Sequence, residues 1–275
     1  MFKLFKVDDP EGADLSFWEH LDLLRSRLLR IAAVFVLLLI VAFAFGDELM
    51  ILITGPKSGW FPTNRFFAWL SDETGKEFLR INSSPLTLIN TTMAGQFNLH
   101  IRLAFSTALI LSIPYIVWEL WGFIRPVLTE RERHKARFFV LEVSLCFIVG
   151  ALFGYFALAP LSIDFLSTYS MGDQLTNMID VGSYMSLISN MVFVCGAIFL
   201  LPILSRMLAK MGVLSSGFMR KYRRHAIVIL AIFAAFITPP DAMSMMLVLV
   251  PLYGLYELSV YIVVRVERAN YRLKK

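Results

Sequence analysis

Stretches of about twenty apolar residues recur along this chain of 275 residues, and that recurrence limits its fold more than any other feature. A helix rises about 1.5 Å per residue, so about twenty such residues cross the roughly 30 Å hydrocarbon layer of a bilayer. Segments 28–45, 103–124, 138–159, 184–204 and 242–264 are long enough, and one further run, 226–237, the fifth in chain order, is shorter. With 57% hydrophobic and only 17% charged residues, the chain has too little charge to cover a soluble core of its size. The expectation is an all-α polytopic membrane protein with six transmembrane helices. The small residues in Ala42-Phe43-Ala44 resemble a cleavage site. The apolar stretch before them is too long for a signal peptide and its flank mixes acids with bases, so it reads as an uncleaved first span.

The excess of basic over acidic residues, 26 against 21, raises nucleic acid as a partner, but its distribution argues for membrane topology instead. Lys and Arg number five up to the start of the first span, five in 125–137, six in 206–224 and five in the tail 265–275. The intervening segments 164–183 and 238–243 hold none, and the long segment 47–98 holds four. Short basic loops stay on the cytoplasmic side. Both termini and both basic loops are therefore expected in the cytoplasm, with 1–27 as an amphipathic N-terminus and 47–98 on the periplasmic side.

Prolines punctuate the spans. Pro160 is expected to stop the third, Pro202 interrupts the fourth, and Pro114 and Pro251 lie within the second and sixth. At 1.5 Å per residue the fifth run spans about 18 Å, well short of the bilayer. Either the membrane thins, Arg223 and Arg224 snorkel or neighbouring helices shelter the run, or flanking residues such as Phe218 and Met219 extend the helix. Cys146 and Cys195 sit inside apolar runs with no His or second Cys nearby, so neither a metal site nor a disulfide is expected.

Four stretches together resemble the TatC subunit family of the twin-arginine translocase. The first is Phe17-Trp18-Glu19-His20-Leu21-Asp22-Leu23-Leu24-Arg25-Ser26-Arg27. The second is Ser112-Ile113-Pro114, followed by Trp121-Gly122-Phe123-Ile124-Arg125-Pro126 and Glu130-Arg131-Glu132-Arg133. The third is Gly154-Tyr155-Phe156 with Pro160, and the fourth is Thr238-Pro239-Pro240-Asp241 with Pro251 and Leu255-Tyr256-Glu257. The resemblance implies a cup-shaped bundle, 1–275 being one membrane domain in the bacterial plasma (inner) membrane. It also implies a role: receptor and core of a translocase that exports folded proteins bearing twin-arginine signal peptides, driven by the proton-motive force. Implied partners are TatA/TatB-type single-span subunits, the signal peptides and other copies of the chain. No cofactor, metal, enzymatic activity or nucleic acid is implied.

A guanidinium pair is best held by carboxylates, which accept its N–H fork in a charge-assisted way. Glu132 matches the family acid in the loop after the second span. The other family acid falls at Leu23 here, and Glu19, one turn earlier, or Asp22 is expected to stand in for it. Either could also be a solvated acid on an interfacial helix. Arg25, Phe123 and Arg133 complete the expected signal-peptide site.

Ionisable residues inside spans are costly and are functional candidates by default. Glu119 and Glu257 are such residues near the cytoplasmic ends of spans two and six; the bland alternative is snorkelling or pairing with a nearby base. Asp241 lies at the outer turn before the sixth span, where it could cap that helix. Two family polar positions for partner docking are apolar here: Leu200 in the fourth span and Met245 after Ser244. Packing through small residues, as in Gly150 to Gly154, is an alternative route to partner contact. An intramembrane protease is disfavoured by the lack of a nucleophile elbow or zinc motif. The remaining alternative, an ion-coupled secondary transporter of small solutes, would usually show repeated halves.

Overall fold

The computed structural model describes residues 17–77, 80–82, 86–124, 138–169, 178–210, 212–237 and 242–273. The described apolar stretches are helical, as hydrocarbon requires: no water reaches the backbone there, and a helix satisfies its own N–H and C=O groups. The helices are α1 (Phe17–Ala44), α2 (Gly46–Thr54), α3 (Pro62–Thr74), α4 (Gly95–Ile124), α5 (Phe139–Phe153) and α6 (Ala159–Thr168). They continue as α7 (Val181–Ile198), α8 (Leu201–Lys210), α9 (Ser216–Lys221), α10 (Arg223–Ile237) and α11 (Ala242–Leu273). Among the described residues, five windows are long and apolar enough to cross a membrane: Leu21–Ala44, Gly95–Phe123, Phe139–Thr168, Val181–Lys210 and Val248–Ala269. The fifth apolar helix in chain order, α10, has 15 residues, about 22 Å. A turn at Tyr222 divides it from α9, so Phe218 and Met219 do not lengthen it. The fold is an all-α polytopic membrane protein whose fifth apolar helix is short.

The chain divides into two compact units, Met1–Gly46 with His100–Leu145 and Asp47–Leu99 with Cys146–Lys275. In the first, α1 is one unbroken rod, so the amphipathic N-terminal stretch runs directly into the apolar span. It pairs antiparallel with α4: Arg27 meets Glu119 at 3.0 Å, Phe35 meets Phe105 edge-on at 5.3 Å, and His100 stacks on Phe43 at 4.0 Å. His100 Nε2 also donates to the Phe43 carbonyl at 2.8 Å. A Cβ at Gly46 would lie 2.3 Å from that ring nitrogen, so the chain leaves α1 through a residue without a side chain. Leu28, Leu29, Leu37 and Ile40 remain exposed along α1, as suits a surface facing lipid tails.

In the second unit, glycines bring α5 and α7 into near backbone contact. A Cβ at Gly150 would stand 2.6 Å from Phe199 Cβ, one at Gly154 2.7 Å from the Met191 carbonyl, and one at Gly196 2.5 Å from the Phe147 ring. Gly150 and Gly154 therefore pack inside this chain, which corrects the expectation that they offer a surface to a partner.

The third span also departs from expectation, because Pro160 does not end it. A five-residue π turn, Gly154–Leu158, joins α5 to α6, and the helical run continues to Thr168. A proline orphans the carbonyl four residues earlier and clashes with it. That carbonyl belongs to Phe156, inside the widened turn, and the Thr63 hydroxyl donates to it. Pro202 acts differently: α7 ends at Ile198, and Phe199 and Leu200 form a break before α8.

The long segment between the first two spans is structured. Asn64 Nδ2 donates to the carbonyls of Pro56 and Ser58, both at 2.9 Å. Asn82, held at a positive φ of 51°, donates through Nδ2 to Asn64 Oδ1 at 3.1 Å and to the Pro160 carbonyl at 3.0 Å. Two short strands, β1 (Leu88–Ile89) and β2 (Ile179–Asp180), pair in parallel. Asp180 then caps α7, accepting from the N–H groups of Gly182 and Ser183 at 2.9 and 3.1 Å. Near the other end of the unit, Ala209, Met219, Val260 and Val263 form a buried cluster joining α8, α9 and α11. Glu267 accepts from the Ser216 N–H at 2.8 Å and from its hydroxyl, which secures the start of α9.

Candidate functional site

The start of α1 and the end of α4 carry most of the described candidate residues. Leu23 and Arg27, one turn apart, are the buried positions on this part of α1, while Asp22 and Arg25 are exposed. Arg27 reaches Glu119, which is only 3% exposed. Its Nη1 lies 3.0 Å from Glu119 Oε2, and Arg30 Nη1 lies 3.6 Å from Oε1. Tyr115, one turn before Glu119 on the same face of α4, donates its hydroxyl to Oε1 at 2.8 Å. Gly122 makes the approach possible: a Cβ there would stand 2.1 Å from Arg27 Nη1.

A carboxylate buried within a span is tolerable when opposite charge and hydrogen bonds satisfy it. Glu119 has two guanidinium groups and a phenol around it. It works as a strut fixing α1 against α4, not as an open acceptor. The available acid on the described part of α1 is Asp22, with Arg25 close by in sequence and Phe123 half-buried at the end of α4. Residue 19 lies on the helical backbone one turn before Leu23. Glu132, Arg133 and Asp241 lie outside the described residues.

Glu257 in α11 repeats the arrangement of Glu119. Tyr253, four residues earlier, donates to its Oε1 at 2.8 Å, and Arg223 at the start of α10 donates to its Oε2 at 2.7 Å. This pair is more open, with a third of the Glu257 side chain exposed. Glu119 and Glu257 thus each pair with a nearby base within the chain. Leu200 is half-buried at the break between α7 and α8, and Met245 is half-buried in α11. Arg27 and Arg30 were not singled out from sequence as partners of Glu119. Two signals pointed that way: the Tyr-x-x-x-Glu spacing shared by α4 and α11, and two arginines three residues apart entering an apolar span.

The family model described as Sec-independent protein translocase protein (TatC) matches residues 19–251, from the first turn of α1 into α11. The chain belongs to the TatC family. Relatives named Sec-independent protein translocase protein TatC agree along nearly its whole length. The one from Blattabacterium sp. subsp. Periplaneta americana is 37% identical over 259 residues, covering 92% of this chain and 96% of that protein. The one from Deinococcus radiodurans is 33% identical over 258 residues, covering 94% and 88%. A crystal structure of the twin-arginine translocase receptor TatC superposes with a TM-score of 0.72 at 26% identity, covering 90% of this chain and all of that one. This TatC-family chain is accordingly a protein translocase component, and nothing in its fold or its relatives supports the alternative of an ion-coupled transporter of small solutes.

Proposed function

We propose that this chain is the receptor and core subunit of a twin-arginine translocase, acting as one membrane domain rather than as an enzyme. It binds twin-arginine signal peptides at its cytoplasmic face and passes folded cargo across the bacterial plasma membrane at the expense of the proton-motive force. The placement of Lys and Arg supports an orientation with both termini and both basic loops in the cytoplasm. TatA/TatB-type single-span subunits and further copies of the chain complete the machine. Leu200 and Met245 leave their docking surface apolar where the family carries polar groups.

Glu132 is the principal acceptor for the arginine pair, with Arg133, Phe123 and Arg25 around it. The observation that carries the reading is the state of α1. Leu23, at the second acid's position, is buried and Asp22 beside it is exposed, on a helix secured to α4 through Arg27 and Glu119. Asp22 or Glu19 supplies the second carboxylate. The test is export of a folded twin-arginine reporter, with crosslinking of a photoreactive signal peptide to the same variants. Glu132→Ala abolishes both, and whichever of Asp22→Ala and Glu19→Ala weakens both identifies the second acid. Normal crosslinking to Glu132→Ala would sink the site assignment.

A further inference from the structure

For a helix in water, α3 is inside out. The polar side chains of Asn64 and Ser71 are 2% and 5% exposed, while Phe66 and Trp69 are 55% and 59% exposed, and Trp60 just before the helix is 63% exposed. Phe66 and Trp69, three residues apart, share one side of α3 with their rings 6.2 Å apart. The helix cannot roll over to hide them. Asn64 is held by the Pro56 and Ser58 carbonyls and by Asn82, and Thr63 by the Phe156 carbonyl. A fixed, exposed aromatic cluster marks a contact surface.

Its depth identifies what it contacts. Phe156 lies about 26 Å along the helical run that begins at Phe139, close to the roughly 30 Å thickness of the hydrocarbon layer. The Tyr155 hydroxyl donates to the Leu52 carbonyl, so α2 is tied to the same level, and Ile51 and Leu52 are exposed beside that tie. Exposed apolar side chains of α2 and α3 therefore lie at the level of Tyr155 and Phe156. Arg65 and Asp72 are exposed along one flank of the aromatic pair, and Glu73, one turn beyond Trp69, is exposed at the end of α3, as headgroup contact favours. Indole rings, apolar with one polar edge, prefer this boundary. We infer that α3 lies in the headgroup–acyl boundary of the leaflet at the Phe156 end of that helical run, with Trp60, Phe66 and Trp69 inserted among the lipids. The inference needs only the membrane-spanning fold and stands apart from the receptor reading.

The test uses the full chain, with Cys146 and Cys195 replaced by alanine, reconstituted in vesicles of phosphatidylethanolamine and phosphatidylglycerol. Nitroxide labels go on Phe66→Cys, Trp69→Cys and, as the polar-edge control, Asp72→Cys. At 66 and 69, collisions with oxygen exceed those with a water-soluble nickel chelate several-fold, and at 72 the order reverses. Greater access to the nickel chelate at 66 and 69 would place the face in water and overturn the inference. Low access to both reagents would mean a second copy covers it, which overturns it equally. A second measurement needs no cysteine variants: brominated lipids quench a substantial part of the wild-type fluorescence, and Trp60→Phe/Trp69→Phe removes much of that quenchable part. Unchanged quenching in the double variant refutes the inference.

Discussion

Replacing Arg27 by Met removes the nearest charge from a carboxylate that is 3% exposed. Taking one partner from a buried ion pair costs about 3–5 kcal/mol, because the other charge is left without compensation. Here Arg30 at 3.6 Å and Tyr115 at 2.8 Å stay on the carboxylate. The expected loss is therefore smaller, about 2–3 kcal/mol. Replacing both partners with apolar side chains, as in Arg27→Met/Glu119→Met, removes the buried charge and recovers at least half of that loss. Arg30, with about a fifth of its side chain exposed, can then turn toward the interface. The assay is reversible unfolding in mixed micelles titrated with dodecyl sulfate, read by circular dichroism. The reasoning fails if Arg27→Met unfolds at the wild-type detergent fraction. It fails equally if the double variant is no more stable than the single one. Signal-peptide crosslinking should follow the same order, because the strut sets where the start of α1 sits.

Gly122→Ala places a Cβ where Arg27 Nη1 now lies, 2.1 Å away. The guanidinium must withdraw, so the same unfolding assay should show a loss of about 2 kcal/mol, with little further loss in the Arg27→Met background. Gly154→Ala meets the Met191 carbonyl at 2.7 Å, a backbone atom that cannot swing aside. It should cost about 1–3 kcal/mol in that assay, and wild-type behaviour would contradict the close approach of the π turn and α7. Asn64→Leu strips donors from the Pro56 and Ser58 carbonyls and an acceptor from Asn82. At about 1–3 kcal/mol for each buried group left unpaired, α3 should open locally and be cut sooner by trypsin at Arg65, seen as a new fragment by mass spectrometry.

Hydropathy and charge placement are local properties, and for that reason the six apolar helices could be read from sequence alone, the shortness of α10 included. The turn at Tyr222 was less legible, because whether Phe218 and Met219 join α10 depends on Tyr256, whose hydroxyl holds the Met219 carbonyl at 2.7 Å. The two-residue strands β1 and β2 are too short to show a period, and only their meeting in space reveals them. The fate of Pro160 depended on Thr63, a donor 93 residues away from the Phe156 carbonyl that the proline leaves free, so the proline alone suggested an end where the helix runs on.

The candidate site divides the same way. Glu119 stood out in sequence because a charge within an apolar span is rare and costly. Its use as a strut was hidden, because Arg27 lies 92 residues from it and meets it only when α1 and α4 pair with one particular rotation. That rotation also buries Leu23 and leaves Asp22 exposed. Motif and hydropathy thus determined the family, the helices and the acids worth attention. Only the tertiary structure decided which charges are consumed within the chain, because side-chain pairing follows from how helices turn toward one another and not from their order.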